Sequence, residues 1–387
     1  MEKINYKMVK EEEVELALQR CIEQVRRNLE TFTYHFPFAS SVNNFYEPIE
    51  NNYWTTGFWT GQIWLAYEAS KENIFKYAAL IQVESFLKRI QEQIAVDHHD
   101  MGFLYSLSCV AAYKLVGDEN AKMAALLAAD HLLTRFHEKG EFIQAWGSVN
   151  EPTNYRLIID CLLNLPLLYW ATDVTGDKKY EKIARKHITT SLKYVVREDY
   201  STYHTFYFDP VTGEPSHGET CQGYRNDSAW ARGQAWGIYG VAISYRYTKN
   251  EFYIDIFRKI TEFYLSKLPT DLVPFWDLEF TDGSDEPRDS SSAAIVACGL
   301  LEMAEFLSAE EAKYYTGLAK QMVQSLIENY EVKDHSMSNG ILLHGTYSKK
   351  SPYNTCNHYG VDECTIWGDY FFMEALTRLT KDWDSYW

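Results

Sequence analysis

The 387-residue chain has no uninterrupted apolar run of about 18 residues, the length a membrane helix requires. Its first residues, MEKINYKMVKEEEVE, lack the apolar core of a signal peptide, so a cytoplasmic protein is expected, with no membrane partner. Basic charge is scarce: 37 Lys and Arg stand against 54 Asp and Glu, a formal net charge of -17, and no basic run is long enough to track phosphates. Nucleic acid is therefore an unexpected partner. Cys21, Cys109, Cys161, Cys221, Cys298, Cys356 and Cys364 form no CxxC pair, and seven is an odd number, so they read as buried free thiols. Neither HExxH nor paired CxxC occurs, and no metal or other cofactor is expected. No Pro/Gly/Ser-rich linker divides the chain, which reads as one domain over 1–387.

Aromatic residues, by contrast, are plentiful: 29 Tyr, 20 Phe and 11 Trp, many beside Gly, Asn, Asp or His. They suit either a large aromatic core or a sugar cleft, where flat apolar faces with polar edges meet the CH-rich faces of pyranosides.

Val14, Leu18, Ile22, Val25 and Leu29 recur at helical spacing. Eleven further helical stretches are expected to begin near Phe58, Asn73, Phe103, Glu119, Arg156, Asp177, Trp230, Glu251, Ser291, Glu310 and Thr365, with no convincing alternating strand pattern between them. Segments charged on one face (119–138, 177–197, 310–330) alternate with segments apolar nearly all round (157–170, 231–244, 293–303). Similar short turns, VGDE, TGDK and TKNE, join inner to outer members 60 to 70 residues apart. Six such hairpins predict an all-α fold, an (α/α)6 barrel. The returning connections are long, gather at one mouth and hold the unusual clusters, where function usually lies.

Five clusters carry candidate chemistry. NNYWTTGFWTG (51–61) leaves Trp54 either in aromatic packing or at the pocket mouth. In DHHDMGF (97–103), Asp100 precedes a helix and is either a cap or a permanently ionised partner favoured by backbone N–H groups. In NYRLIIDCLLN (154–164), Asp160 interrupts an apolar helix, so it is either hydrogen-bonded for structure or a general acid whose pKa the apolar surround raises. HGETCQGYRNDSAWARGQAWG (217–237) holds Arg232, which needs an internal salt-bridge partner or a substrate carboxylate. In PFWDLEF…EPRDSSSAA (274–294), Asp289 reads as the cap of an inner helix.

HHD at 98–100, IID at 158–160, SAWARGQAW at 228–236, and PFWD with PRDSSSAA in 274–294 together resemble the unsaturated glucuronyl hydrolases, glycoside hydrolase family 88. The likeness runs from about residue 51 to 367, and the unsaturated rhamnogalacturonyl hydrolases are cousins. The resemblance implies hydration of a vinyl ether in disaccharides cut from chondroitin, hyaluronan or heparin, with Asp160 as general acid and base and Asp100 as second aspartate. It also implies a substrate pocket of Trp54, His99, Trp146, His204, Gln222, Arg232 and Trp236, in a monomer or homodimer. Relatives that take sulfated fragments carry a serine-and-lysine loop. Here TYSKKSPY (346–353) keeps Ser348 and Ser351 but has Tyr353 where lysine is expected, with Lys349 or Lys350 as substitutes. Two other classes stay open: a sugar 2-epimerase, whose (α/α)6 barrel uses paired histidines on inner helices (His98, His99, His204, His344 and His358 being available), and a non-catalytic sugar-binding protein.

Overall fold

The computed structural model describes residues 6–387; residues 1–5 of the N-terminal stretch read above lie outside it. If residues 101–116, which run unbroken through a π turn at Ser106–Val110, count as one helix, the described residues form twelve α-helices in six pairs. The outer members are α1 (Glu11–Phe32), α3 (Asn73–Gln91), α5 (Glu119–Leu133), α7 (Lys179–Tyr194), α9 (Phe252–Ser266) and α11 (Ala309–Asn329). The inner members are α2 (Thr56–Ser70), α4 (101–116), α6 (Pro166–Thr175), α8 (Ala231–Thr248), α10 (Ser290–Ala304) and α12 (Ile366–Thr380). Neighbouring inner helices pack in sequence order and α12 packs back on α2, closing the expected (α/α)6 barrel.

The alternation follows from burial. α1 buries one stripe, including Val14, Leu18, Cys21, Val25 and Leu29, whereas α10 is buried at every position from Ser290 to Met303. Four inner-to-outer turns share one device. Lys71, Gly117, Gly176 and Lys249 take left-handed backbone and return their N–H to the carbonyl four residues earlier, at 2.7 to 2.9 Å. This is what the repeated VGDE, TGDK and TKNE signature encodes.

Two expectations fail. Residues 156–170 are not one helix: Arg156–Ile158 is a strand, Ile159–Leu163 a 3-10 turn, and the helix begins only at Pro166. Proline lacks the N–H that a helix interior needs and suits the first turn, while the Arg156–Ile158 backbone pairs antiparallel with Thr205–Phe208. Strands also exist: nine among the described residues, in four small antiparallel sheets, each two to five residues long and too short for alternation to show. All nine lie in outer-to-inner connections, where they stiffen the mouth.

The opposite end of the barrel is closed by residues 381–387. Trp387 is buried and stacks on Phe371, and its indole N–H donates to Glu374 at 2.8 Å. Glu374 and Glu302, both fully buried, share Arg378 at 2.9 Å each, and Arg246 also pairs with Glu302. Such ions are tolerated inside because each is matched.

Asp369, in the first turn of α12, is buried without a cation. It accepts Leu342 N–H at 2.8 Å and the Tyr46 hydroxyl at 2.9 Å, and burial pushes its carboxyl up to about 7. The folded state therefore holds this proton more tightly than the unfolded chain does. Its stabilising contribution is full below about pH 4 and is lost as pH rises to about 7. Each tenfold gain in proton affinity is worth about 1.4 kcal/mol, so the loss across that window is on the order of 4 kcal/mol. Asp369→Asn, which mimics the protonated form, should flatten that decline. Denaturant unfolding at acidic and neutral pH would show it; an unchanged pH slope would mean that Asp369 is not the group responsible.

Candidate active site

The long connections enclose a cavity of about 320 Å³ whose wall includes Trp54, Asp100, Trp146, Asp160, His204, Gln222, Trp230, Arg232, Trp236, Tyr347 and Ser348. Asp100 ends the 92–100 connection at the N-terminus of α4, and Asp160 stands in the 3-10 turn between strand and α6. They meet because Gly102 lies flush on Asn164, where a Cβ would come within 2.4 Å of the Asn164 Cα. Asn164 Oδ1 also accepts the Phe103 N–H at 2.8 Å. On the other side, Ile159 N–H donates to the His204 carbonyl at 3.1 Å, continuing the strand pairing into the turn.

His99 stands between the two carboxylates. Its Nε2 lies 3.2 Å from Asp160 Oδ1 and 3.5 Å from Asp100 Oδ1, off the line a hydrogen bond needs, so the attraction is chiefly Coulombic. Burial opposes its protonation, but Asp100 and Asp160 outweigh burial and hold its pKa well above the usual histidine range. His98 cannot share the task. Its Nδ1 accepts the Asp100 N–H at 3.1 Å and its Nε2 faces the Ala95 carbonyl at 3.0 Å, a neutral tautomer, and burial lowers its pKa.

Asp160 differs from expectation. Its side chain keeps 16% exposure rather than lying within an apolar helix, with Oδ1 buried toward His99. Burial alone would raise its pKa; His99, helped by Arg232, outweighs this and lowers it. Asp160 is thus half of a carboxylate–imidazolium pair, whose proton belongs to both groups.

The remaining expected residues divide. Trp54 is wall more than mouth: it stacks on Trp367 and donates its indole N–H to the Tyr347 hydroxyl at 2.8 Å. Trp146, 37% exposed and stacked on His98, forms the rim, and Trp236 lies buried at the base against Phe103. His204 is neutral, lowered to about 3 by burial, with Nδ1 accepting the Cys221 N–H at 2.9 Å. Gln222 donates its amide to the Tyr347 carbonyl at 2.9 Å.

Several expectations require correction. His99 is fully buried behind the carboxylates and does not line the cavity. Arg232 is an internal ion pair: it holds Asp289 at 2.7 Å and the Thr346 and Tyr347 carbonyls at 2.6 and 2.7 Å. Asp289 does occupy the first cap position of α10, but its carboxylate binds Arg232 and the Ser291 hydroxyl, not the helix backbone. Ser348 lines the cavity with its hydroxyl bonded to the Asn357 carbonyl, whereas Ser351 bonds the Tyr224 carbonyl outside it. Lys349 pairs with Glu286 at 3.1 Å and Lys350 donates to the Asn354 carbonyl at 2.6 Å. Cys221 is only half-buried and forms part of the wall. None of His98, His99, His204, His344 and His358 is on an inner helix, as the epimerase reading requires. His99, Asp100 and Asp160 place donor atoms within 4.8 Å of one another, a spacing that could hold a metal ion. The absence of HExxH and paired CxxC in the sequence does not reveal this cluster, because its donors come from two separate connections.

Arg156, Tyr347, Asn357 and Tyr359 also line the cavity and were missed. Arg156 carries no legible signal: its strand is three residues long, too short for the face shared by 156 and 158 to show against the helical period around it.

With this geometry in view, known proteins are informative. The model for Glycosyl Hydrolase Family 88 matches residues 25–379. The chain belongs to glycosyl hydrolase family 88. Among family 88 relatives, it is 48% identical to the unsaturated chondroitin disaccharide hydrolase of Streptococcus pneumoniae, across 98% of this chain and 95% of that protein. It is 42% identical to the unsaturated glucuronyl hydrolase of a Bacillus species, across 93% and 95%. The crystal structure of unsaturated glucuronyl hydrolase from Streptococcus agalactiae superposes with a TM-score of 0.94 at 47% identity, covering 98% and 95% of the two chains. A variant of that enzyme complexed with dGlcA-GalNAc6S gives 0.88 at 43%, covering 100% and 97%.

His99, its pKa held high between the two carboxylates, is placed to position the Asp160 carboxyl and its proton. The alkaline limb of kcat/KM against pH should therefore lie above the ordinary histidine range near 6.5, and His99→Gln should move it to lower pH. An unmoved limb in that variant would show that His99 only packs.

Proposed function

We propose that the chain hydrolyses glycosaminoglycan-derived disaccharides with a 4,5-unsaturated uronic acid at the non-reducing end, by hydrating the C4=C5 enol ether. The observation that carries this is the pair Asp100 and Asp160, coupled through His99 at the base of an aromatic-walled cavity. Two carboxyl groups and one proton are what hydration of an enol ether needs.

Asp160 gives its proton to C4, and positive charge develops at C5 and the ring oxygen. The Asp100 carboxylate lines the same cavity and stabilises that charge. Asp160, now ionised, takes a proton from the water that adds at C5. The hemiketal opens and releases the second sugar. Trp54, Trp146, Trp230 and Trp236 supply ring faces for the two sugars, with His204 donating from the Nε2–H that its tautomer leaves free. An added carboxylate from the substrate favours protonation of Asp160 just when the acid is required.

The reaction needs no metal ion. A divalent cation between Asp100 and Asp160 would take the position of the His99 charge and oppose the cation forming at C5.

Loss of the enol ether's ultraviolet absorbance measures the reaction directly. Asp160→Asn should lower the rate by about 10² to 10⁴ while leaving substrate binding intact, and exhaustive chelation should leave the wild-type rate unchanged. Wild-type turnover in Asp160→Asn would move the acid elsewhere, and a chelation loss restored by a divalent ion would overturn the metal-free chemistry.

A further inference from the structure

Two cationic side chains line the cavity, and only one has an anionic partner. Arg232 is bound to Asp289 and two carbonyls. Arg156 makes no ion pair and no side-chain hydrogen bond among the described residues, and its Nε is buried without a partner. Its guanidinium rests over the Tyr207 ring at 5.4 Å, which holds the head group in place without neutralising it. An unpaired buried donor costs free energy, so the arrangement calls for a ligand that completes it. Glu219, on the far strand of the same sheet, pairs in register with Thr205, not with Tyr207 beside Arg156.

Its place along the wall says which part of the substrate it meets. Arg156 and Ile158 lie on one face of their strand and both line the cavity, with Asp160 next in line. Arg156 is therefore about 7 Å farther out than Ile158 at strand spacing. The Ala145 N–H donates to the Arg156 carbonyl at 3.0 Å, so Arg156 and the rim residue Trp146 share one edge. The ring that receives the proton must lie against Asp160 and the deeply buried Asp100, so the second sugar points toward this rim. Across the cavity, Lys349, Lys350 and Ser351 are all engaged elsewhere. The loop expected to recognise sulfate offers no free cation.

Resting on the functional reading above, we infer that Arg156 is the specificity residue for an anionic substituent, such as a sulfate ester, on the second sugar. Its fork suits a planar or tetrahedral oxyanion, and Tyr207 keeps it ordered for that contact. Neutral second sugars leave Arg156 in contact with water at the rim and are turned over without its help.

Steady-state kinetics on unsulfated, 4-sulfated and 6-sulfated unsaturated chondroitin disaccharides test this with wild type and Arg156→Gln. At least one sulfated form should lose on the order of tenfold to a hundredfold in kcat/KM, mainly through KM, as expected for a charge-assisted pair. The unsulfated form should change by no more than about twofold, which also shows that the variant is folded. Equal losses on all three would overturn the inference, because Arg156 would then hold the uronate they share or support the fold. No loss on any would overturn it too. If wild type fails on all three disaccharides, the hydrolase reading falls, and this inference with it.

Discussion

Two carboxylates cannot both stay ionised side by side in a buried site unless positive charge stands between them, and His99 supplies it. The imidazolium touches both Asp100 and Asp160, and each acid supports the charge that holds the other. Much of the surrounding architecture can be understood as what this contact requires. Gly102 removes a side chain so that the start of α4 can rest on Asn164, and the strand at Arg156–Ile158 carries Asp160 in from the opposite connection. The closed ring of inner helices fixes both approaches at once.

Matched charge recurs at two other places in the interior. Arg232 meets Asp289 beside the cavity, and Glu302, Glu374 and Arg378 meet at the closed end, beneath Trp387. Breaking one partner of such a pair leaves a buried charge exposed to an apolar surround, which costs about 3 to 5 kcal/mol. Arg156, which lines the cavity, has no carboxylate partner among the described residues.

Features set by local periodicity were legible in the sequence. The one-faced pattern of α1, the all-round burial of α8 and α10, and the repeated Gly117 and Gly176 turns each follow from side-chain spacing or backbone preference. The strand at 156–158 was hidden because three residues cannot display a period and their pairing partner lies almost fifty residues on. Asp100 and Asp160 stood out as acids beside apolar helices. The role of His99 did not, since its function depends on a distance between two loops that no local pattern encodes. For Arg232, an Ala/Gly/Trp surround showed only that an anion was needed. The partner, Asp289, is 57 residues away, so sequence alone could not separate an internal acid from a substrate carboxylate.

In the proposed reaction Asp160 delivers a proton to C4 rather than assisting attack at the anomeric carbon. Turnover in deuterium oxide, followed by proton magnetic resonance of the earliest product, tests it most directly. Proton delivery by Asp160 predicts that the double bond disappears as the second sugar is released, and that one deuteron enters C4 from a single face. Release of the second sugar with the double bond intact and no deuterium at C4 would contradict it.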